Sequence, residues 1–195
     1  AVIKQLDEAL PDLSLSIKEK ITAECLRDLH AGELDLVMLA SQLQDPSLSH
    51  CDLFQETFYL VCSQKHPLSQ LAKVTPEEIP EDQLVLLDEG HCLRDQGLEY
   101  CQRIGRRHNT DIAGTSLATV LAMVSLGRGI TLVPALSLPM LEHLPVVVKP
   151  IAVDPPSRLI TLYWRSSFDR QPLIDCLVAV IKAGVKSARG VKLYP

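Results

Sequence analysis

Apolar residues along the chain alternate between a helical and an extended spacing. Residues 1–10 put Val2, Ile3, Leu6 and Leu10 on one side, as an amphipathic helix does, and Pro11 stops the pattern. Residues 13–17 alternate apolar and polar, with Leu13, Leu15 and Ile17 pointing one way, which predicts a strand. Thr22 then predicts an N-cap for a helix carrying Cys25, Leu26 and Leu29 and ending at Gly32. Residues 34–39 form an apolar run suited to one buried strand of a parallel sheet. Strand, helix and strand in succession make a βαβ unit with a right-handed crossover.

The alternation continues. Short strands are predicted over 58–62 and 84–87, with a small helix over 76–79 between them. A loop through Glu89, Gly90 and His91 leads into a helix over 92–106, and Thr115 with Ser116 caps another over 117–126, stopped by Gly127. Strands follow over 129–134 and 159–164. A closing helix over 172–186 has Leu173, Leu177, Val180 and Ile181 on its apolar side. Strands alternating with helices indicate an α/β fold with mixed, mostly parallel sheets. Breaks over 53–55 and 154–157 divide it into two Rossmann-like lobes joined by two crossover segments. The first lobe takes residues 1–55 and 158–195, and the second takes 56–157. In such folds ligands sit beyond the carboxyl ends of strands, where helix N-termini converge. Thr22, Cys92, Thr115 and Ser116 stand at such ends and are expected to line one cleft.

Composition narrows the function. The 195 residues are 47% apolar and 22% charged, which excludes disorder. The most apolar stretch, 129–148, carries Pro134, Pro139, Pro145, Glu142 and His143, so no membrane span is expected. No basic-plus-apolar leader precedes the first helix, and no secretory signal is expected. Nineteen Lys and Arg against 24 Asp and Glu give a net charge of −5. With no basic stripe, the domain is not expected to bind nucleic acid by itself. The six cysteines form no CxxC pair, so neither a metal site nor a cofactor is expected. Cys25, Cys51, Cys62 and Cys176 read as buried small hydrophobes in a reducing cytosol.

Cys92 and Cys101 are different. In a helix, nine residues separate them by roughly 13.5 Å of rise and about 900° of rotation, so they lie on opposite faces. A disulfide needs Cα atoms within about 7 Å. If the two do pair, the helix must melt. Gly97 weakens the helix by about 1 kcal/mol relative to Ala. Its apolar face, Leu93, Gly97, Tyr100, Cys101 and Ile104, makes Cys101 a buried thiol. Cys92 sits at the N-terminal end, flanked by His91 and Arg94, where the dipole and cations favour a thiolate. A thiolate with a second thiol in reserve is the layout of a redox sensor. Against it stand two inert helix cysteines, an ordinary surface histidine, and a solvated Arg94–Asp95 pair.

The run Gly90-His91-Cys92-Leu93-Arg94-Asp95-Gln96, followed by Cys101, resembles the redox segment of the OxyR family of hydrogen-peroxide-sensing LysR-type transcriptional regulators. Residues 115–136 and 30–36 resemble the LysR effector-domain core, so the resemblance covers nearly the whole chain. It implies a LysR effector-binding (periplasmic-binding-protein-like) fold, with Cys92 as the peroxidatic cysteine and Cys101 as the resolving one. Oxidation to a sulfenic acid and then an intramolecular disulfide would change dimer geometry and DNA binding and activate antioxidant genes. His91 and Thr22 match positions that bind peroxide or its attendant water, and Arg94 and Asp95 match a charged pair opening the redox helix. Thr115 and Ser116 complete the expected effector-binding set. The implied partners are hydrogen peroxide, a second copy in a dimer or tetramer, promoter DNA through an N-terminal winged helix-turn-helix, RNA polymerase, and glutaredoxin or thioredoxin as reductant. The implied location is the bacterial cytoplasm. Two departures are visible. The family's domain opens with a further strand and a threonine-bearing loop, absent here along with the DNA-binding domain. Asp111 stands where some members carry a histidine, and no role is assigned to it.

Two other classes stay open at this level. One is an effector or solute-binding domain taking a small organic anion without thiol chemistry. The other is a thiol peroxidase that turns over. No Ser/His/Asp set, GxGxxG or HExxH favours an enzyme, and a stoichiometric sensor is expected.

Overall fold

A computed structural model of the chain describes residues 2–80, 82–88, 92–105 and 113–194, with Cys92 described through its backbone alone. It divides into two units, Ala1–Glu56 with Arg158–Pro195, and Thr57–Ser157.

The first unit contains helices α1 (Val2–Ala9) and α2 (Thr22–Ala31), strand β1 (Leu36–Leu39) and the first part of β2 (Leu48–Ser63). The chain re-enters it through β7 (Ser157–Arg165), α5 (Gln171–Val185) and β8 (Val191–Leu193). Strand β7 lies between β1 and β2, and β8 pairs with β2 from Phe54↔Leu193 to Glu56↔Val191. Both faces of β7 are covered, which is why it is buried despite its period of two. Ile160, Leu162 and Trp164 pack with Leu53, Phe54 and Ile174 of α5, whereas Tyr163 packs with Leu29 of α2 and with Val37 and Leu39.

Three expectations fail in this unit. Residues 13–17 form no strand: they are irregular chain, with Ile17 68% exposed, because alternation produces a strand only where another strand takes up its hydrogen bonds. The 34–39 run is not a fully buried parallel strand. It pairs antiparallel with β7 from Leu36↔Trp164 to Leu39↔Thr161, and Met38 is 52% exposed on its open face. Nor does Thr22 cap α2. Ile21 holds the extended cap geometry and Thr22 is already helical. Helix α2 is stopped as expected at Gly32 (φ 80°), and Arg165 Nη1 donates to the Leu29 carbonyl in its last turn and to the Leu34 carbonyl beyond it.

Asp28 of α2 is buried beneath Lys20, whose Nζ donates to Oδ2 at 2.5 Å, and Arg27 Nε donates to Oδ1 at 3.2 Å. The Lys20 hydrogen bond foremost, then Arg27, holds the Asp28 carboxyl below the usual carboxylate range. A carboxyl lowered in the folded state contributes stability above its unfolded pKa of about 4, and that contribution is lost as pH falls through the folded value. Asp28→Asn is therefore expected to be less stable than wild type at pH 7, the gap closing towards pH 2. Urea midpoints across that range check it.

The second unit holds the rest of β2, then β3 (Leu86–Leu87), α3 (Cys92–Arg103), β4 (Ala113–Gly114), α4 (Leu117–Ser125), β5 (Ile130–Pro134) and β6 (Val146–Pro150). Strand β2 pairs antiparallel with β5 (Phe58↔Pro134 to Cys62↔Ile130) and with β6 (Tyr59↔Pro150 to Ser63↔Val146). Parallel pairing occurs at β3–β4 and at the bridges Val74↔Ile151 and Leu84↔Ile130. The sheets are thus mixed, as the α/β class implies, but among the described ladders antiparallel pairing prevails over the expected parallel. The reason is β2, which runs through both units against its partners.

Cys62 is fully buried, and burial pushes its thiol up. Cys25, Cys51 and Cys176 are only half-buried, contrary to expectation. Among the described residues no helix is long and apolar enough to cross a membrane.

Candidate thiol site

Helix α3 runs unbroken from Cys92 to Arg103 directly after β3. Its inner face is the expected one. Tyr100 (2% exposed) and Cys101 (4%) join the core of Phe58, Leu60, Leu84, Leu86 and Ile130, and Leu93, Leu98 and Ile104 pack against it. Gly97 has a sharper role than a weak point in a helix. A Cβ there would stand 2.8 Å from Leu86 Cδ2, so glycine is what lets α3 lie this close to β3.

Both ends of the helix are fastened. At the N-terminal end Arg94 Nη1 donates to the Leu87 carbonyl at 3.1 Å, tying the first turn to β3. At the C-terminal end the Arg103 guanidinium lies 5.3 Å over the Tyr100 ring, donates from Nη2 to the Asp154 carbonyl at 3.1 Å, and places Nε 3.1 Å from Asp154 Oδ2. Asp154 has a left-handed backbone (φ 42°) in the segment leading to β7. Nothing in local sequence signals this partnership, because 51 residues separate the two groups.

Cys92 opens α3, where unsatisfied backbone N–H groups and the dipole favour an anion. Cys101 is a buried thiol and not disulfide-bonded. A continuous helix keeps their Cα atoms about 14 Å apart on opposite faces, beyond the reach of a disulfide. This helix and that bond exclude one another.

The other expected site residues differ in what holds them. Arg94 is half-buried and bonded to backbone, whereas Asp95 is exposed. Ser116 caps α4, its Oγ accepting from Thr119 N at 3.2 Å. Thr115 is exposed and plays no part in the cap. Thr22 is half-buried in the first unit; Cys92, Arg94, Asp95, Thr115 and Ser116 belong to the second. His91, the Cys92 side chain and Asp111 lie outside the described residues. Among the described residues no His, Cys, Asp and Glu cluster is arranged to hold a metal.

Two α/β units sharing one long strand, with a helix opening on a cysteine, make this a two-unit α/β domain with a thiol at a helix start. More particularly, the chain belongs to the LysR substrate-binding domain family, whose model matches residues 1–186. It is 32% identical over 183 residues to the "DNA-binding transcriptional dual regulator OxyR" of Escherichia coli K12, covering 93% of this chain and 60% of that protein. It also resembles the reduced OxyR regulatory domain of Pseudomonas aeruginosa (33% identity, TM-score 0.85, covering 93% of this chain and 89% of that one). A reduced form of OxyR from N. meningitidis gives 28% identity and a TM-score of 0.87, covering all of this chain and 91% of that one. The chain spans 54–62% of the length of the first curated relatives it matches.

Proposed function

We propose that this chain is the peroxide-sensing regulatory domain of an OxyR-type LysR transcriptional activator, working by reversible thiol oxidation. The observation that carries it is α3 itself: one helix begins on Cys92 and buries Cys101 on its opposite face. The Cys92 thiolate attacks one oxygen of hydrogen peroxide. The O–O bond breaks, hydroxide leaves and is protonated to water, and the sulfur, oxidised by two electrons, becomes a sulfenic acid. The Cys101 sulfur then attacks Cys92 as the S–O bond breaks, and the departing hydroxide takes the thiol proton as a second water. One peroxide consumes two thiols and yields one disulfide and two waters.

The second step requires α3 to unwind, and the closed bond offsets part of what the helix and its docking lose. His91 and Thr22 are assigned to peroxide binding through the family resemblance. Arg94, bonded to Leu87, positions the first turn. In the full-length regulator the refolded segment alters the arrangement of a homodimer or tetramer on promoter DNA, with RNA polymerase recruited and glutaredoxin or thioredoxin restoring the thiols. The chemistry is stoichiometric, not turnover.

Intact mass with peptide mapping tests this. After stoichiometric peroxide, wild type is expected to lose two hydrogens and yield a Cys92–Cys101 crosslinked peptide. Cys101→Ser is expected to stop at one added oxygen on Cys92, and Cys92→Ser to remain unchanged. Six titratable thiols surviving in wild type would sink the sensor and leave the anion-binding reading in its place.

A further inference from the structure

Tyr100 presents its ring to the core. The side chain is 2% exposed, and its Oη is buried with no hydrogen-bond partner among the described residues. Tyr163 in the first unit is equally buried but satisfied: its hydroxyl donates to the Ser41 carbonyl at 3.1 Å and accepts from Leu43 N at 3.2 Å. Tyr100 belongs to a hydrophobic core cluster, with the Arg103 guanidinium lying over its ring and itself bonded to Asp154. Burial accordingly pushes the Tyr100 hydroxyl up to about 12, with the Arg103 guanidinium drawing it partly back. A phenylalanine would fill the same space and keep the guanidinium over the ring, since that attraction acts on either ring face.

We propose that the Tyr100 hydroxyl is a built-in load on the docked state of α3, loosening the helix that buries Cys101 and so shifting the thiol–disulfide balance towards the disulfide. In the docked helix the O–H has been stripped of water, and no described group takes its place. Once α3 unwinds it regains water, so the group favours release by about tenfold. Neighbouring the buried cysteine in sequence, Tyr100 leaves the core in the same motion that must free Cys101. The sign is opposite to that of an ordinary core side chain. The redox part of the inference rests on the sensor reading above; the loosening of the helix does not.

Tyr100→Phe isolates the hydroxyl. In the reduced protein, amides of α3 are expected to exchange with deuterium about tenfold more slowly than in wild type, and the urea midpoint to rise. Tyr163→Phe, which breaks satisfied bonds, is expected to lower it. Equilibrated in glutathione buffer, Tyr100→Phe is expected to favour the dithiol by about tenfold, a midpoint potential about 30 mV less negative. Unchanged or faster α3 exchange in Tyr100→Phe overturns the inference, whatever the thiols do. If wild type forms no 92–101 crosslink, the sensor reading fails while the exchange rates alone decide the role of the hydroxyl. If wild type crosslinks and Tyr100→Phe shows slower exchange at an unaltered potential, the hydroxyl loads the helix without setting the redox balance, and that part of the inference is wrong.

Discussion

Arg158→Met is expected to cost the fold about 3–5 kcal/mol, the range for removing one partner of a buried ion pair. Glu56 is 1% exposed, and both Nε and Nη2 of Arg158 lie 2.7 Å from its Oε1. The two residues stand where the chain passes between its units, Glu56 closing the first segment of unit one and Arg158 opening the second. Loss of the guanidinium leaves a carboxylate in the core without the charge that accompanied it. Against a total stability of about 5–15 kcal/mol, that is about a fifth or more. Replacing both, as Glu56→Leu with Arg158→Met, is expected to recover much of the loss, because the penalty is chiefly the stranded charge and not the missing attraction. Urea unfolding of the single and double variants measures this. The deficit should persist in high salt, unlike any contribution of the exposed Lys4–Glu8 pair, which solvent screens. A single variant within 1 kcal/mol of wild type would mean that other groups already hold the Glu56 carboxylate.

Position along the chain decides what was legible beforehand. Helix α3 was legible down to its face, because Leu93, Gly97, Tyr100, Cys101 and Ile104 recur at helical spacing and the face they make meets one core. The Ser116 cap and the stop of α2 at Gly32 were legible for a local reason, since each depends on a few consecutive residues. Residues 13–17 misled because alternation describes one strand while a sheet requires two. Only the last residues of strand β2 carry a strand signature in the sequence. Its buried Glu56 breaks the apolar run, and its justification is Arg158, 102 positions away. Strand direction has no signature for a related reason: a run covered on both faces reads the same whichever way its neighbour points. The Arg103–Asp154 clamp and the orphaned Tyr100 hydroxyl are products of tertiary packing and have no local signature.

Gly97→Val tests whether burial of Cys101 depends on the close approach of α3 to β3. The valine Cβ would fall 2.8 Å from Leu86 Cδ2, and Leu86 is itself packed into the core, so the larger side chain must displace it or the helix. Overpacking of this kind costs about 1–3 kcal/mol, and here the helix moves before the sheet does. Since every 1.4 kcal/mol is tenfold in an equilibrium, alkylation of Cys101 in the reduced protein is expected to accelerate by roughly five- to a hundredfold. Cys62, buried in the same core but carried by β2, is expected to accelerate far less. Gly97→Ala is the contrasting case: one methyl group gains about 1 kcal/mol of helix propensity while meeting the same leucine, so its net effect should be small. Peptide mapping after timed alkylation reads each cysteine separately. If Cys101 in Gly97→Val stays as protected as in wild type, the glycine is not what seats the helix, and the resistance of α3 to release must lie in its two fastened ends, Arg94 on Leu87 and Arg103 on Asp154.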